Sequence, residues 1–213
     1  MNPTPEEFDG RPEALDGFLG NLDRLYAEMD QAYSKTAADY GFYCTGCRES
    51  CCRTRFFHYT FLEYHYLLEG YRKLAAHLRQ DVLHRAGVYQ RRMENSDAAA
   101  LSFDAFCPLN DKGACILYAW RPMICRLHGI PYELHTPGKP VLRGPGCPVF
   151  TQTFGAVSYV PFDRTPFYKA LAALEQNLRK TMGVSRGIKM TVAGMLLDFD
   201  RNASRKPRFL RQG

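Results

Sequence analysis

All eight cysteines of this chain lie between Cys44 and Cys147, with 43 residues before the first and 66 after the last. Clustering of this kind restricts the fold to one in which the middle of the chain serves its thiols and the cysteine-free ends act as scaffold. How the thiols are read depends on the compartment. The first ten residues, Met-Asn-Pro-Thr-Pro-Glu-Glu-Phe-Asp-Gly, carry no basic stretch followed by an apolar one, so they do not read as a secretory signal. No apolar run approaches the roughly 18 residues needed to span a bilayer. The expected location is therefore cytoplasmic, where dense cysteine points to metal or redox chemistry rather than to structural disulfides. With 46% hydrophobic and 23% charged residues, the chain has enough apolar mass to bury a core, and wholesale disorder is excluded.

The cysteines fall into two groups. The first is Cys44-Thr-Gly-Cys47-Arg-Glu-Ser-Cys51-Cys52, in which a C-x2-C knuckle lets two thiolates converge on one ion. Adjacent Cys51 and Cys52 point in different directions, so one of them serves a different ion or only packs, and two sites or one polynuclear site follow. The second group is Cys107-Pro108, Cys115, Cys125 and Cys147-Pro148. Zinc ribbons and fingers carry a second C-x2-C or an H-x3-5-H pair, and neither is present, so this is not a standard zinc finger. A proline directly after a cysteine also follows the last ligand of bacterial ferredoxin runs. Four irregularly spaced cysteines joining a compact C-x2-C group suit a metal core of iron–sulfur or zinc type assembled from several loops. Packing explains one or two of the eight, and a catalytic Cys–His pair stays open without any local sequence that singles out a nucleophile. Among the histidines only His58 and His128 lie near enough in sequence to act as ligands or proton carriers.

Around the cysteines the pattern predicts helices. Leu15, Phe18, Leu19, Leu22, Leu25, Tyr26, Met29 and Tyr33 recur at three- and four-residue spacing, giving an amphipathic helix over 12–38. Thr60-Phe-Leu-Glu63 is a capping box opening a helical region to about residue 95, with Gly70 and Gly87 expected to break it. Thr165-Pro166 opens a third helix that Gly183 ends. Ala114–Tyr118 and Ala156–Val160 read as short strands, and 187–200 as either strand or helix. Gly129 to Pro148 holds five prolines and four glycines and reads as loop and turns. The expected fold is mainly α with short β segments, a single helical domain around an irregular cysteine-rich metal-binding core. Residues 1–43 supply an N-terminal helix packing on that core, 44–164 the cysteine-cluster region, and 165–213 a C-terminal helix and basic tail.

The segment Cys107-Pro-Leu-Asn-Asp-Lys-Gly-Ala-Cys115-Ile-Leu-Tyr-Ala-Trp-Arg121-Pro-Met-Ile-Cys125-Arg126, with Cys44-Thr-Gly-Cys47 and Cys51-Cys52-Arg53 before it, resembles the YkgJ-type cysteine-cluster family. The resemblance spans roughly residues 44 to 147. It implies a zinc- or iron-chelating domain in which all eight characteristic cysteines have counterparts: Cys44, Cys47, Cys51, Cys52, Cys107, Cys115, Cys125 and Cys147. Three residues separate Cys47 from Cys51 where the family usually shows two. The cysteine module is also similar, more distantly, to that of flagellin lysine methylase, which implies an iron–sulfur cluster; the expected cofactor is an iron–sulfur cluster, with 4Fe-4S favoured, or zinc. No Gly-rich loop after a strand and no C-x3-C-x2-C pattern supports a methyl-transfer half. Pro122 suits the first turn of a short helix holding Cys125, and Arg121 and Arg126 are placed to compensate anionic thiolates or to pair with surface carboxylates.

Charge is uneven within a net +6: residues 1–43 carry nine acids and three bases, residues 179–213 nine bases and two acids. The basic C-terminus offers a surface for an unknown protein partner. No aromatic residues alternate with its bases, so a nucleic-acid platform is not expected, nor is a membrane contact. Three functions follow as expectations: an iron–sulfur or other iron protein, a structural-zinc interaction module, and a methyltransferase-related or thiol redox enzyme.

Overall fold

The computed structural model describes residues 12–43, 51–96 and 105–205. Among them the fold is mainly α, with short β segments. Its seven α-helices are α1 (Pro12–Asp39), α2 (Phe61–Arg72), α3 (Ala76–Glu94), α4 (Met123–Leu127), α5 (Pro148–Phe154), α6 (Thr165–Met182) and α7 (Val192–Arg205). Two antiparallel ribbons accompany them, β1 (Asn110–Asp111) with β2 (Ala114–Cys115), and β3 (Tyr132–Leu134) with β4 (Leu142–Gly144). No described helix is long and apolar enough to cross a membrane.

The periodic stripe read in α1 is the face that packs. Leu22 and Met29 are fully enclosed, with Leu19, Leu25 and Tyr26 beside them, and the helix lies against α2, α4 and α6. Helix α2 is the centre of the core, with ten of its twelve residues buried. Leu62, Leu67 and Leu68 are wholly inside, each contributing about 1.5–3 kcal/mol by leaving water. On the far side α3 packs against α7 through Val82, Ala86 and Tyr89. Helix α6 ends where predicted, at Gly183 in the left-handed region (φ 72), whose amide bonds back to the last turn.

Several local expectations are corrected by packing. The region after Thr60 does not break at Gly70 or Gly87; it breaks between them, at Lys73–Ala75. Gly70 lies inside α2 with the indole of Trp120 packed against it, where an added Cβ would clash with the ring. Gly87 is an ordinary member of α3. Only Ala114–Cys115 of the first predicted strand pairs, since the chain turns into a short 3-10 helix at Tyr118–Trp120. Ala156–Val160 forms no strand: the Tyr40 hydroxyl accepts the Val160 amide (2.7 Å) and donates to its carbonyl (3.0 Å), occupying the groups a ladder would use. The proline- and glycine-rich stretch contains the β3–β4 ribbon, and the ambiguous segment 187–200 resolves into a backbone bridge from Met190 to His58 followed by α7.

The two helical glycines separate packing from propensity. Gly87→Ala should stabilise the protein by about 0.5–1 kcal/mol, because an added Cβ would meet the end of the flexible Arg91 side chain at 3.4 Å, an accommodating contact. Gly70→Ala should destabilise by about 1–3 kcal/mol as the indole is displaced. Urea-unfolding midpoints of the two variants check the opposite signs.

Candidate metal centre

Of the eight cysteines, Cys44 and Cys47 lie outside the described residues, as does the side chain of Cys51. Four of the remaining five share one neighbourhood. The thiols of Cys52, Cys107, Cys115 and Cys125 interact electrostatically: Cys107 with the other three, and Cys52 also with Cys115 and Cys125. All four are half-buried, and none is in a disulfide.

Local structure explains how residues spread over 74 positions of chain meet there. Cys52 sits in a 3-10 turn, Cys51–Arg53, and its carbonyl accepts the Cys107 amide at 2.7 Å, tying the first cysteine group to the second. Cys107 precedes the β1–β2 ribbon and Cys115 ends it, with Asn110 pairing with Cys115 and Asp111 with Ala114. The two-residue loop Lys112-Gly113 has positive φ at both positions (50 and 94), the tight turn that suits ribbon twist. The Arg85 guanidinium reaches from α3 to the Pro108 carbonyl at 2.8 Å, holding the Cys-Pro corner. Cys125 lies in α4, a helix opened by Pro122 as expected.

Two of the sulfurs receive backbone hydrogen bonds of the same kind. The Leu109 amide donates to Cys107 and the Leu117 amide to Cys115, each from two residues downstream. Both leucines are buried, at 2% and 3% exposure, so each Cys-x-Leu turn is pinned by its apolar side chain while its amide faces sulfur. Amides so placed stabilise a thiolate and are the usual outer contacts of a metal-bound one. The repeated Cys-x-Leu is visible in the sequence, and it is a local signal there that these two cysteines share one setting.

Electrostatics favour the protonated form at Cys107, Cys115 and Cys125. Burial is the first cause of a raised thiol pKa at Cys107, Cys115 and Cys125; Cys115 is pushed up to about 11. Mutual repulsion between the thiolates adds to it, and Arg121 acts the other way on Cys115 and Cys125. Arg121 lies 3.5 Å over the Tyr118 ring and donates to the Tyr118 carbonyl at 2.8 Å, which fixes its charge beside the thiols. Arg126 does different work. It is 5% exposed, pairs with Asp30 at 2.5 Å, stacks over Tyr26 and donates to the carbonyls of Ala119 and Arg121. That makes it a clamp on the α4 loop, the carboxylate-paired alternative of the sequence reading.

Cys147 stands apart in its contacts. It caps α5, its sulfur accepting the Phe150 amide at 3.4 Å, and its own amide donates to Gly129. His128 closes α4 and packs edge-on against Phe56, and burial draws its pKa down to about 4. His58 is 1% exposed, with its backbone bridged to Met190 and Nδ1 3.9 Å from a Glu63 carboxylate oxygen. Among the described residues no three His, Cys, Asp or Glu side chains are arranged to hold a metal ion. The groups with the chemistry to do so are the four neighbouring thiols, which are soft donors suited to zinc or iron–sulfur centres.

Burial depresses the His58 pKa to about 4, so the folded protein rejects a proton that the unfolded chain accepts below about 6.5. Stability carried by neutral His58 should therefore be complete at pH 7 and fall by on the order of 3 kcal/mol as the pH drops to 4. Glu63 and Glu175, raised by burial, act in the opposite sense just above the usual carboxylate value. The histidine contribution is accordingly read as a difference: a His58→Gln variant should show a flatter fall in urea midpoint between pH 7 and pH 5 than the parent.

Comparison with family models, with curated proteins and with solved structures finds no match for this chain, so its own thiols, amides and guanidinium groups carry the functional reading.

Proposed function

We propose that this protein holds an iron–sulfur cluster, of 4Fe-4S type, through cysteine thiolates, with Cys52, Cys107, Cys115 and Cys125 as its ligands. The observation that carries the reading is that these four half-buried thiols, from three separate chain segments, lie near enough for ionisation of each to be felt by the others. Two further features support it. The Leu109 and Leu117 amides donate to sulfur, as outer contacts of ligated cysteines do, and they would tune a cluster's potential. Arg121 supplies a fixed positive charge where four thiolates would accumulate negative charge.

In the absence of a cation the thiols of Cys107, Cys115 and Cys125 stay neutral, since burial and mutual repulsion oppose ionisation. Cys52, Cys107, Cys115 and Cys125 would hold the cluster as thiolates, and it would supply one-electron chemistry. The protein's own groups do the rest: the β1–β2 ribbon sets Cys107 and Cys115 on one turn unit, α4 presents Cys125, and the Cys52 carbonyl locks the first group to the second. The resemblance to the YkgJ-type family belongs to the same proposal, as does a cytoplasmic location. A protein partner for the basic C-terminus is part of it too, although residues 206–213 lie outside the described ones.

Protein purified without oxygen should be brown and contain about four iron and four sulfide per chain. Cys115→Ser and Cys125→Ser should each lose the visible absorption, whereas Cys147→Ser should keep it. Colourless protein carrying stoichiometric zinc would replace the iron reading with a structural-zinc one. Retention of colour in both the Cys115 and the Cys125 variant would remove these residues from the centre.

A further inference from the structure

We propose that Glu63 is the positioning residue for Cys125: its buried carboxylate, anchored on α2, holds the first turn of the helix that presents this thiol. The inference rests on the preceding reading only in taking Cys125 as one of the ligands.

The capping box at the start of α2 is used twice. At the start of α2 the Thr60 hydroxyl accepts the Glu63 amide at 3.1 Å, as a capping box requires. The next two donors of that end, the Phe61 and Leu62 amides, are taken by Glu175 of α6 at 3.1 and 3.2 Å. Glu63 therefore does not have to serve those two amides of its own helix. Its Oε2 accepts the Thr60 hydroxyl at 2.8 Å, and its Oε1 accepts the Met123 amide at 3.0 Å. Glu63 is 5% exposed, so no water competes for that bond.

Met123 is the first residue of α4, and the preceding Pro122 has no amide to offer. At five residues α4 is far too short to persist by its own hydrogen bonds, so its place is set by what grips it. Arg126 grips the last turn, from α1 and the Ala119–Arg121 carbonyls; Glu63 grips the first. Cys125 lies between these two grips, two residues after Met123, and it feels the Glu63 charge directly. Two buried carboxylates thus form a relay of helix starts, Glu175 of α6 holding α2 and Glu63 of α2 holding α4.

The proposal separates reach from charge. Glu63→Gln keeps an oxygen at the same reach without the charge, and Glu63→Asp keeps the charge but withdraws it by one methylene. Alkylation by N-ethylmaleimide of the protein as isolated, mapped to each cysteine by peptide mass spectrometry, reads the outcome. Glu63→Asp should raise the rate at Cys125 by about tenfold relative to Cys147, the expected effect of losing one buried hydrogen bond, and Glu63→Gln should stay within about threefold of the parent. An unchanged Cys125 in Glu63→Asp would overturn the proposal. So would a parallel rise at all mapped cysteines, or a rise in Glu63→Gln without one in Glu63→Asp, which would assign the effect to charge. Iron content and colour of the same preparations report separately on the cluster, so a colourless protein with a selective rise at Cys125 rejects the cluster and keeps the positioning role.

Discussion

The structure depends on burying the start of α2. A helix sunk this deeply leaves its first amides with no water to meet, and an unpaired buried amide costs about 1–3 kcal/mol. Thr60 and Glu175 remove that cost, one from the preceding residue and one from a helix more than 100 positions later. Once α2 is seated, α1 and α6 pack on it, and the Trp120 indole lies on its Gly70 surface. The loop that carries Cys115 and Cys125 is thereby drawn against the core.

That same loop gives the thiols their setting. A tight ribbon and a five-residue helix have little stability of their own, so their arrangement comes from contacts made outwards: Arg85 to Pro108, Glu63 to Met123, Arg126 to Asp30 and to Tyr26. The two arginines near Cys125 illustrate the division. Both carry the same charge, Arg126 next to the thiol in sequence and Arg121 four positions before it. Arg126, buried and paired, acts as structure; Arg121, lying over the Tyr118 ring, is the one whose field lowers the thiol pKa of Cys115 and Cys125.

The helices were legible because their signals are local. Apolar spacing in α1, the Thr60 cap and the Thr165-Pro166 to Gly183 frame depend on neighbours within one or two turns. The misread places are those where a distant group decides. Gly70 reads as a break until Trp120 is known to lie on it. Val160 reads as strand until Tyr40 takes both its backbone groups, and the break at Lys73–Ala75 carries no marker as strong as the glycines on either side.

By itself the sequence determined the helical class, the concentration of thiols between Cys44 and Cys147, and the short helix opened by Pro122. Each follows from composition, spacing or backbone restriction within a few residues. Only the tertiary structure decided that Cys52, Cys107, Cys115 and Cys125 form one electrostatic group while Cys147 caps α5, and that Glu63 bridges two helix starts. The reason is physical: hydrogen bonds and mutual repulsion act over a few ångströms of space, and distance along the chain says nothing about them until the core has closed.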